Sequence, residues 1–325
     1  MKAAIIVSSE AKLEYYMQNL PEFQVFHSEN HLTSEILQQI SDCELLSTTV
    51  YANLSAQTLE KFPNLKYIVT QSTGFDHIDL AYCKEHGITV CNIPSYGERS
   101  IAEFTMGLIF SLAKNITEAD KRTSELNFFS QDLRGFEILG KTIGIIGTGA
   151  IGKEVVKLSK AIGLNVLAFD KFPNKQFANE TGFQYVTLDE IFEKSDIVSL
   201  HVPYNNETHH LINQETLEKM KPSALLINTS RGAVVDTEAL IQALEQKKIS
   251  GAGLDVLESE KILFAKGENY DQLSEQFLRL KKFNVIYTPH IAAYSYESQK
   301  TALEIVVQNI KDCLENKPSN TVKLD

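Results

Sequence analysis

The chain has 325 residues, 43% hydrophobic and 22% charged, a globular composition long enough for two domains. Its 31 basic and 42 acidic residues leave a net charge of −11, which argues against a general binder of nucleic acid or of anionic membranes, since either needs a basic face. Cys43, Cys83, Cys91 and Cys313 show neither CxxC nor Cys/His spacing, so they are expected to be reduced, mostly buried thiols, and no metal site is expected. The N-terminus, MKAAIIVSSEAKLEYY, lacks the long apolar core of a signal peptide. No apolar run reaches the ~18 residues of a membrane span. A cytoplasmic protein is the expectation.

Taken in chain order, residues 1 to 98 alternate short apolar runs with helical patterns. AAIIV, CELLSTTV, KYIVTQS and ITVCNI have the length and composition of strands, and SAQTLEKF and DLAYCKEHG those of helices, the second stopping at Gly87. This alternation predicts an α/β layer on a parallel sheet. ERSIAEFTMGLIFSLAKN is apolar almost all round and is predicted to be a helix buried at a domain junction or a subunit interface. A second alternating series follows, with strands at TIGIIG, NVLAFD, DIVSLHV, ALLINTS and GAGLDVL. Residues 258 to 283 are expected to be a charged, irregular insertion before the strand NVIYTP, and a helix from about 296 to 315 closes the chain.

The stretch KTIGIIGTGAIGKEVVKLSKAIGLNVLAFDK is the most informative. A strand enters a turn with Gly147, Gly149 and Gly152, a helix follows, and the next strand ends in Asp170, eighteen positions past Gly152. The first glycine allows the tight turn. The second lets the backbone approach a pyrophosphate, which sits on the N–H groups of Ala150, Ile151 and Gly152 at the helix start. Asp170 is placed to accept bonds from ribose hydroxyls and would repel a 2′-phosphate, which favours NAD over NADP, although Lys171 stands beside it. A flavin or S-adenosylmethionine would also suit such a turn.

Three later strands run into charged groups. ALLINTSRG ends at Thr229 and Arg231, GAGLDVLESE at Asp255, Glu258 and Glu260, and NVIYTPH at His290. If all extend the sheet behind Gly147, their carboxyl ends share the edge where open α/β sheets bind ligands. There Arg231 suits a substrate carboxylate, His290 suits a proton donor to a carbonyl oxygen, and a neighbouring carboxylate favours the imidazolium.

These segments, with STGFDHIDL, NIPSYGERSIAEFTMGLI, SDIVSLHVP and VIYTPHIAAYS, resemble the D-isomer-specific 2-hydroxyacid dehydrogenases, and within them the D-lactate dehydrogenase-like branch, over essentially the whole chain. The resemblance implies two doubly wound parallel-sheet domains. One is a discontinuous flavodoxin-like substrate domain, residues 1–98 and 296–325. The other is a Rossmann NAD-binding domain, residues 99–295. The active site is implied between the domains, and a homodimer is implied. It assigns Arg231 to the substrate carboxylate and His290 to acid/base chemistry. Glu260 is assigned as the partner of that histidine, with Glu258 the alternative should the register shift. Asp255 and the Thr229 carbonyl are implied to orient the nicotinamide, and His201, Val202 and Pro203 to wall the cofactor. Thr73 and Gly74 would meet the substrate carboxylate through backbone N–H groups, and Tyr96 would reach into the same pocket, with Tyr294 nearby.

The implied reaction is reduction of a small 2-oxoacid to a 2-hydroxyacid by NADH, with pyruvate the first expectation. Ala293 stands where some lactate-type relatives carry an aromatic ring, and YGERS replaces a more common YSPE-like stretch, so hydroxypyruvate, a bulky 2-oxoacid or phosphite are the alternatives. The insertion at 258 to 283 favours the lactate-like branch. An NADH-sensing, corepressor-like binding protein on the same fold is the alternative of another class, against which the intact set of Arg231, Glu260 and His290 argues.

Overall fold

The computed structural model describes every residue except 8, 29–31, 51, 259, 261–269 and 325. The chain forms two compact units, Met1–Tyr96 with Tyr296–Asp325, and Gly97–Ser295.

The first unit holds a five-stranded sheet, all parallel: β1 (Ala3–Val7), β2 (Gln24–His27), β3 (Leu45–Thr48), β4 (Tyr67–Thr70) and β5 (Thr89–Cys91), in the order 2-1-3-4-5. Successive side chains of a strand point to opposite faces, and here both faces are covered. Ala4 and Ile6 join Leu46, Ile68 and Val90 in one core. Ala3, Ile5 and Val7 join Leu45, Val69 and Cys91 in the other, under Val306, Ile310 and Cys313 of the last helix, Tyr296–Leu314. That double coverage is why the central strand β1 reads as an unbroken apolar run, whereas the edge strand β2 does not. Asp79 caps the helix Leu80–Glu85 by accepting from Tyr82 N, and Gly87, at φ +68, turns the chain out of it. All four cysteines are buried free thiols, and the Sγ atoms of Cys91 and Cys313 are 3.8 Å apart.

The second unit is built on a seven-stranded parallel sheet: β6 (Thr142–Ile146), β7 (Asn165–Phe169), β8 (Gln184–Tyr185), β9 (Ile197–Leu200), β10 (Leu225–Asn228), β11 (Gly251–Leu254) and β12 (Val285–Tyr287), in the order 12-11-10-9-6-7-8. The helix Glu98–Ala113 packs across one face, so closely that a Cβ on Gly253 would sit 3.1 Å from Leu108 and Leu112. Much of its expected burial is thus met within its own unit.

Two sequence expectations are corrected. SAQTLEKF forms only one helical turn, Ala56–Leu59. The stretch from 258 to 283 is not irregular throughout, for Tyr270–Leu280 is a helix, while residues 261–269 lie outside the described residues. Leu280 is buried, Phe277 meets Tyr287 edge-on, and Arg279 bridges Glu238 and Glu245 of the helix Thr237–Glu245. Tertiary contacts therefore order a segment whose charge suggested a loop.

Candidate active site

Six strands of the second sheet end level with one another. Ile146 pairs with Phe169 and Leu200, Leu200 with Asn228, Asn228 with Leu254, and Leu254 with Tyr287. Gly147, Asp170, His201, the Thr229–Arg231 turn, Asp255 and the His290 loop therefore all emerge along one edge. At β6 the strand order reverses, with β7 on one side and β9 on the other, which opens a crevice above its carboxyl end.

The glycine turn fills that point. Gly147 has φ +94, and a Cβ there would lie 2.5 Å from the His201 carbonyl oxygen. A Cβ on Gly152 would lie 2.0 Å from the Gly147 oxygen. These two glycines allow the turn and its packing. Gly149 differs, because a Cβ there would meet nothing within 4 Å. It is exposed and caps the helix Ala150–Ala161 without a side chain, so the first-turn N–H groups open onto solvent-accessible space. A pyrophosphate fits such a cradle. Asp170 is tied to the same turn: Oδ2 accepts from Thr148 N at 2.6 Å and Oγ1 at 2.9 Å, and Oδ1 from Phe172 N at 2.8 Å. Lys171 is paired with Glu207 at 2.8 Å. Half-buried His201 and Val202 wall the turn, with Pro203 exposed beyond them. The His201 ring meets Ser199 Oγ through Nε2 at 2.9 Å, and its Nδ1 is shut off from water without a partner. Burial pushes this imidazole down to about 3, so it stays neutral.

Asp255 organises the other end of the edge. It is 1% exposed; Oδ1 accepts from Thr288 Oγ1 at 2.6 Å and Ile291 N at 2.9 Å, and Oδ2 from Ala292 N at 2.8 Å. Burial pushes its carboxyl above the usual range and the three donors oppose that shift. Its carbonyl accepts from His290 N at 2.9 Å, as does the Thr288 carbonyl. These bonds hold His290 at φ +56, a left-handed conformation uncommon for a residue with a side chain. His290 Nδ1 lies 2.6 Å from Glu260 Oε1. Glu260 is the more enclosed of the pair, and its Oε2 accepts from Leu257 N at 2.9 Å. With Nδ1 committed to the carboxylate, Nε2 faces away on the far side of the ring.

Asn228 shapes the turn that carries Arg231. Its Oδ1 accepts from Ser230 N and Oγ at 3.0 and 2.8 Å, and its Nδ2 donates to the Arg231 carbonyl at 2.9 Å. Arg231 is half-buried, with Nη1 donating to the Ser230 carbonyl at 2.8 Å. Thr229 is buried, its hydroxyl 3.0 Å from that of Thr105. The sequence reading passed over Asn228 and Thr148. A buried polar residue closing the apolar strand LLIN was the available signal for the first.

Tyr294 is 72% exposed, its N–H donating to the Ile291 carbonyl. In the first unit, Thr73 and Gly74 lie on the turn after β4. Their carbonyls accept from Asn92 Nδ2 at 2.8 Å and Ser72 Oγ at 2.7 Å, which fixes the turn. Tyr96 is half-buried against the core that contains Cys91 and Ile93.

A glycine turn at the switch point of a parallel sheet, with basic and acidic groups on the same edge, is the arrangement of a dinucleotide-binding α/β protein. Comparison with known proteins makes this specific. Residues 106–292 match the family model "D-isomer specific 2-hydroxyacid dehydrogenase, NAD binding domain". The chain is 35% identical over 319 residues to D-lactate dehydrogenase of Escherichia coli (strain K12), covering 96% of each. It is 40% identical over 284 residues to glyoxylate reductase of Thermofilum pendens, covering 85% of this chain and 80% of that one. Among solved structures, D-lactate dehydrogenase from Aquifex aeolicus complexed with NAD and lactic acid superposes with a TM-score of 0.89 at 37% identity, covering 97% of this chain and 96% of that one. The protein belongs to the D-isomer specific 2-hydroxyacid dehydrogenase family and is an NAD-dependent oxidoreductase.

Proposed function

We propose that the protein is a D-lactate dehydrogenase, reducing pyruvate to D-lactate with NADH. The observation that carries the chemistry is the 2.6 Å pair of His290 and Glu260 on the strand edge that also bears Arg231. Bound NADH supplies the hydride that reduces the carbonyl carbon. His290 gives a proton from Nε2 to the carbonyl oxygen, and Glu260 holds the ring's tautomer and steadies the imidazolium. Arg231 holds the substrate carboxylate through its guanidinium fork. Gly147, Gly149, Ala150, Ile151 and Gly152 receive the pyrophosphate, Asp170 the ribose hydroxyls, and His201, Val202, Pro203, Thr229 and Asp255 line the cofactor.

The Gly97–Ser295 unit is the NAD-binding domain in this proposal, and Met1–Tyr96 with Tyr296–Asp325 the substrate domain. From the latter, the family resemblance contributes the Thr73 and Gly74 N–H groups and the Tyr96 side chain to substrate binding; Tyr294, of the NAD-binding unit, is a further wall. Likeness to D-lactate dehydrogenases over nearly the full length supports pyruvate. The similarity to a glyoxylate reductase makes glyoxylate the acid to test against it. A homodimer is supported by Leu126, Phe128 and Phe129, each of them an exposed apolar side chain in the stretch after the helix Ile116–Ser124. Buried free thiols support a reducing, cytoplasmic setting.

His290→Ala tests the proposal. NADH binding, followed by the fluorescence of the bound cofactor, should be retained, while the single-turnover rate should fall about 10²–10⁴-fold. An unchanged rate would remove His290 from the chemistry.

A further inference from the structure

Two histidine–glutamate pairs share one turn. Glu260 holds His290, and two residues earlier Glu258 Oε1 lies 2.8 Å from His210 Nε2. The second pair has no part in the chemistry proposed above, yet it stands at the junction of the two segments that chemistry uses. We propose that His210 is a positioning residue, whose bridge to Glu258 fixes the Arg231 turn against the turn that carries Glu260. This inference rests on the roles assigned to Arg231 and Glu260.

The backbone of His210 belongs to the Arg231 side. Its N–H donates to the Ala233 carbonyl at 2.9 Å, and Ile212 N donates to the Val234 carbonyl at 3.0 Å. Asp236 N returns a bond to the Ile212 carbonyl at 2.8 Å. The segment 210–212 is thereby zipped to the 3₁₀ turn Gly232–Val234 that directly follows Arg231. The ring of His210 reaches the other way, to Glu258, with Asp236 4.0 Å from its Nδ1 and His209 stacked on it at 3.9 Å.

Between the two segments the backbones are in direct contact. A Cβ on Gly232 would lie 2.1 Å from the Leu257 carbonyl carbon and oxygen, and 2.5 Å from Glu258 N. Leu257 in turn bonds Glu260 twice: its N–H donates to Oε2, and its carbonyl accepts from Glu260 N. A shift at Glu258 is therefore passed to Gly232 on one side and Glu260 on the other. His210 also sits at φ +49, a left-handed conformation, with Asn213 Nδ2 holding its carbonyl at 3.0 Å. Such a conformation is kept only where surrounding bonds over-determine it. Without the bridge, a guanidinium and an imidazole that must address the same small acid lose their common reference, and misplacements of about 1 Å cost reactions of this kind as much as 10²-fold.

The test is steady-state kinetics with NADH and the best substrate among pyruvate, glyoxylate, hydroxypyruvate and phenylpyruvate. His210→Ala should raise KM for the acid about tenfold, lower kcat less, and leave the NADH dissociation constant unchanged. His210→Gln, whose amide can donate to Glu258 at similar reach, should recover most of the loss. Glu258→Ala should match His210→Ala, and the double variant should be no worse than either alone. Unchanged kinetics in His210→Ala, a loss confined to Tm, failed recovery by glutamine, or additive losses in the double variant would each overturn the proposal. Arg231→Lys serves as the control. If it too leaves KM and kcat unaltered, the carboxylate assignment beneath the proposal has failed rather than the bridge.

Discussion

His290 is held by its backbone before its side chain does anything: Asp255 and Thr288 both accept from its N–H, and Asp255 also collects the two amides that follow. The sequence made His290 and Glu260 visible as charged groups behind apolar strands. It did not disclose that Asp255 binds the loop, because which donors reach a carboxylate depends on how separate segments meet. Asp170 is similar, since its bonds to Thr148 tie it to the glycine turn before any ribose is considered. His201 gives a prediction at this scale. Unfolded, its ring binds a proton below its ordinary 6.5; folded, burial holds it neutral down to about 3. Between those values the unfolded chain carries the extra proton, so this residue's contribution to stability falls as pH drops through that window, by at most ~1.4 kcal/mol per pH unit. Urea unfolding of wild type and His201→Asn from pH 6.5 to 4.5 should show the steeper loss in wild type. Parallel slopes would mean that His201 is not held neutral by burial in the folded protein.

Among elements, the glycine turn separates packing from binding. Gly149 has φ −66 and open space where a Cβ would go, so Gly149→Val should fold normally yet lose NADH affinity at least tenfold, because the methyls occupy the cradle. Gly152→Val meets the Gly147 carbonyl and should lose stability by at least ~1–3 kcal/mol, the usual cost of overpacking. Calorimetry and NADH titration of both proteins check this, and equal affinity in Gly149→Val would contradict it. Ten of the twelve described strands were legible because parallel strands covered on both faces must be continuously apolar, whereas β2 and β8, which are partly exposed and polar, were not named. The helices Glu10–Asn19 and Ser34–Ile40 were not named from sequence. Their exposed faces dilute the apolar pattern, as Glu14 and Gln39 illustrate, and each buries only a single residue fully. Tyr270–Leu280 was missed because its charge suggested a loop, while part of its order comes from Glu238 and Glu245, more than thirty residues away in the sequence.

At the scale of the whole molecule, two parallel-sheet α/β units were readable from the two alternating series, but their full strand counts were not, because β2 and β8 carry no apolar run. If Leu126, Phe128 and Phe129 face a second copy, sedimentation velocity should give a dimer, and Phe128→Glu with Phe129→Glu should give a folded monomer. A wild-type monomer at micromolar concentration would contradict that reading. The most direct test of the central claim is NADH consumption by the purified protein with pyruvate, glyoxylate, hydroxypyruvate, 2-oxoisocaproate and phenylpyruvate. The highest kcat/KM should fall on pyruvate, with D-lactate as product. A clear preference for another acid would contradict the lactate assignment, and no turnover on any of them would contradict the assigned chemistry of Arg231, Glu260 and His290.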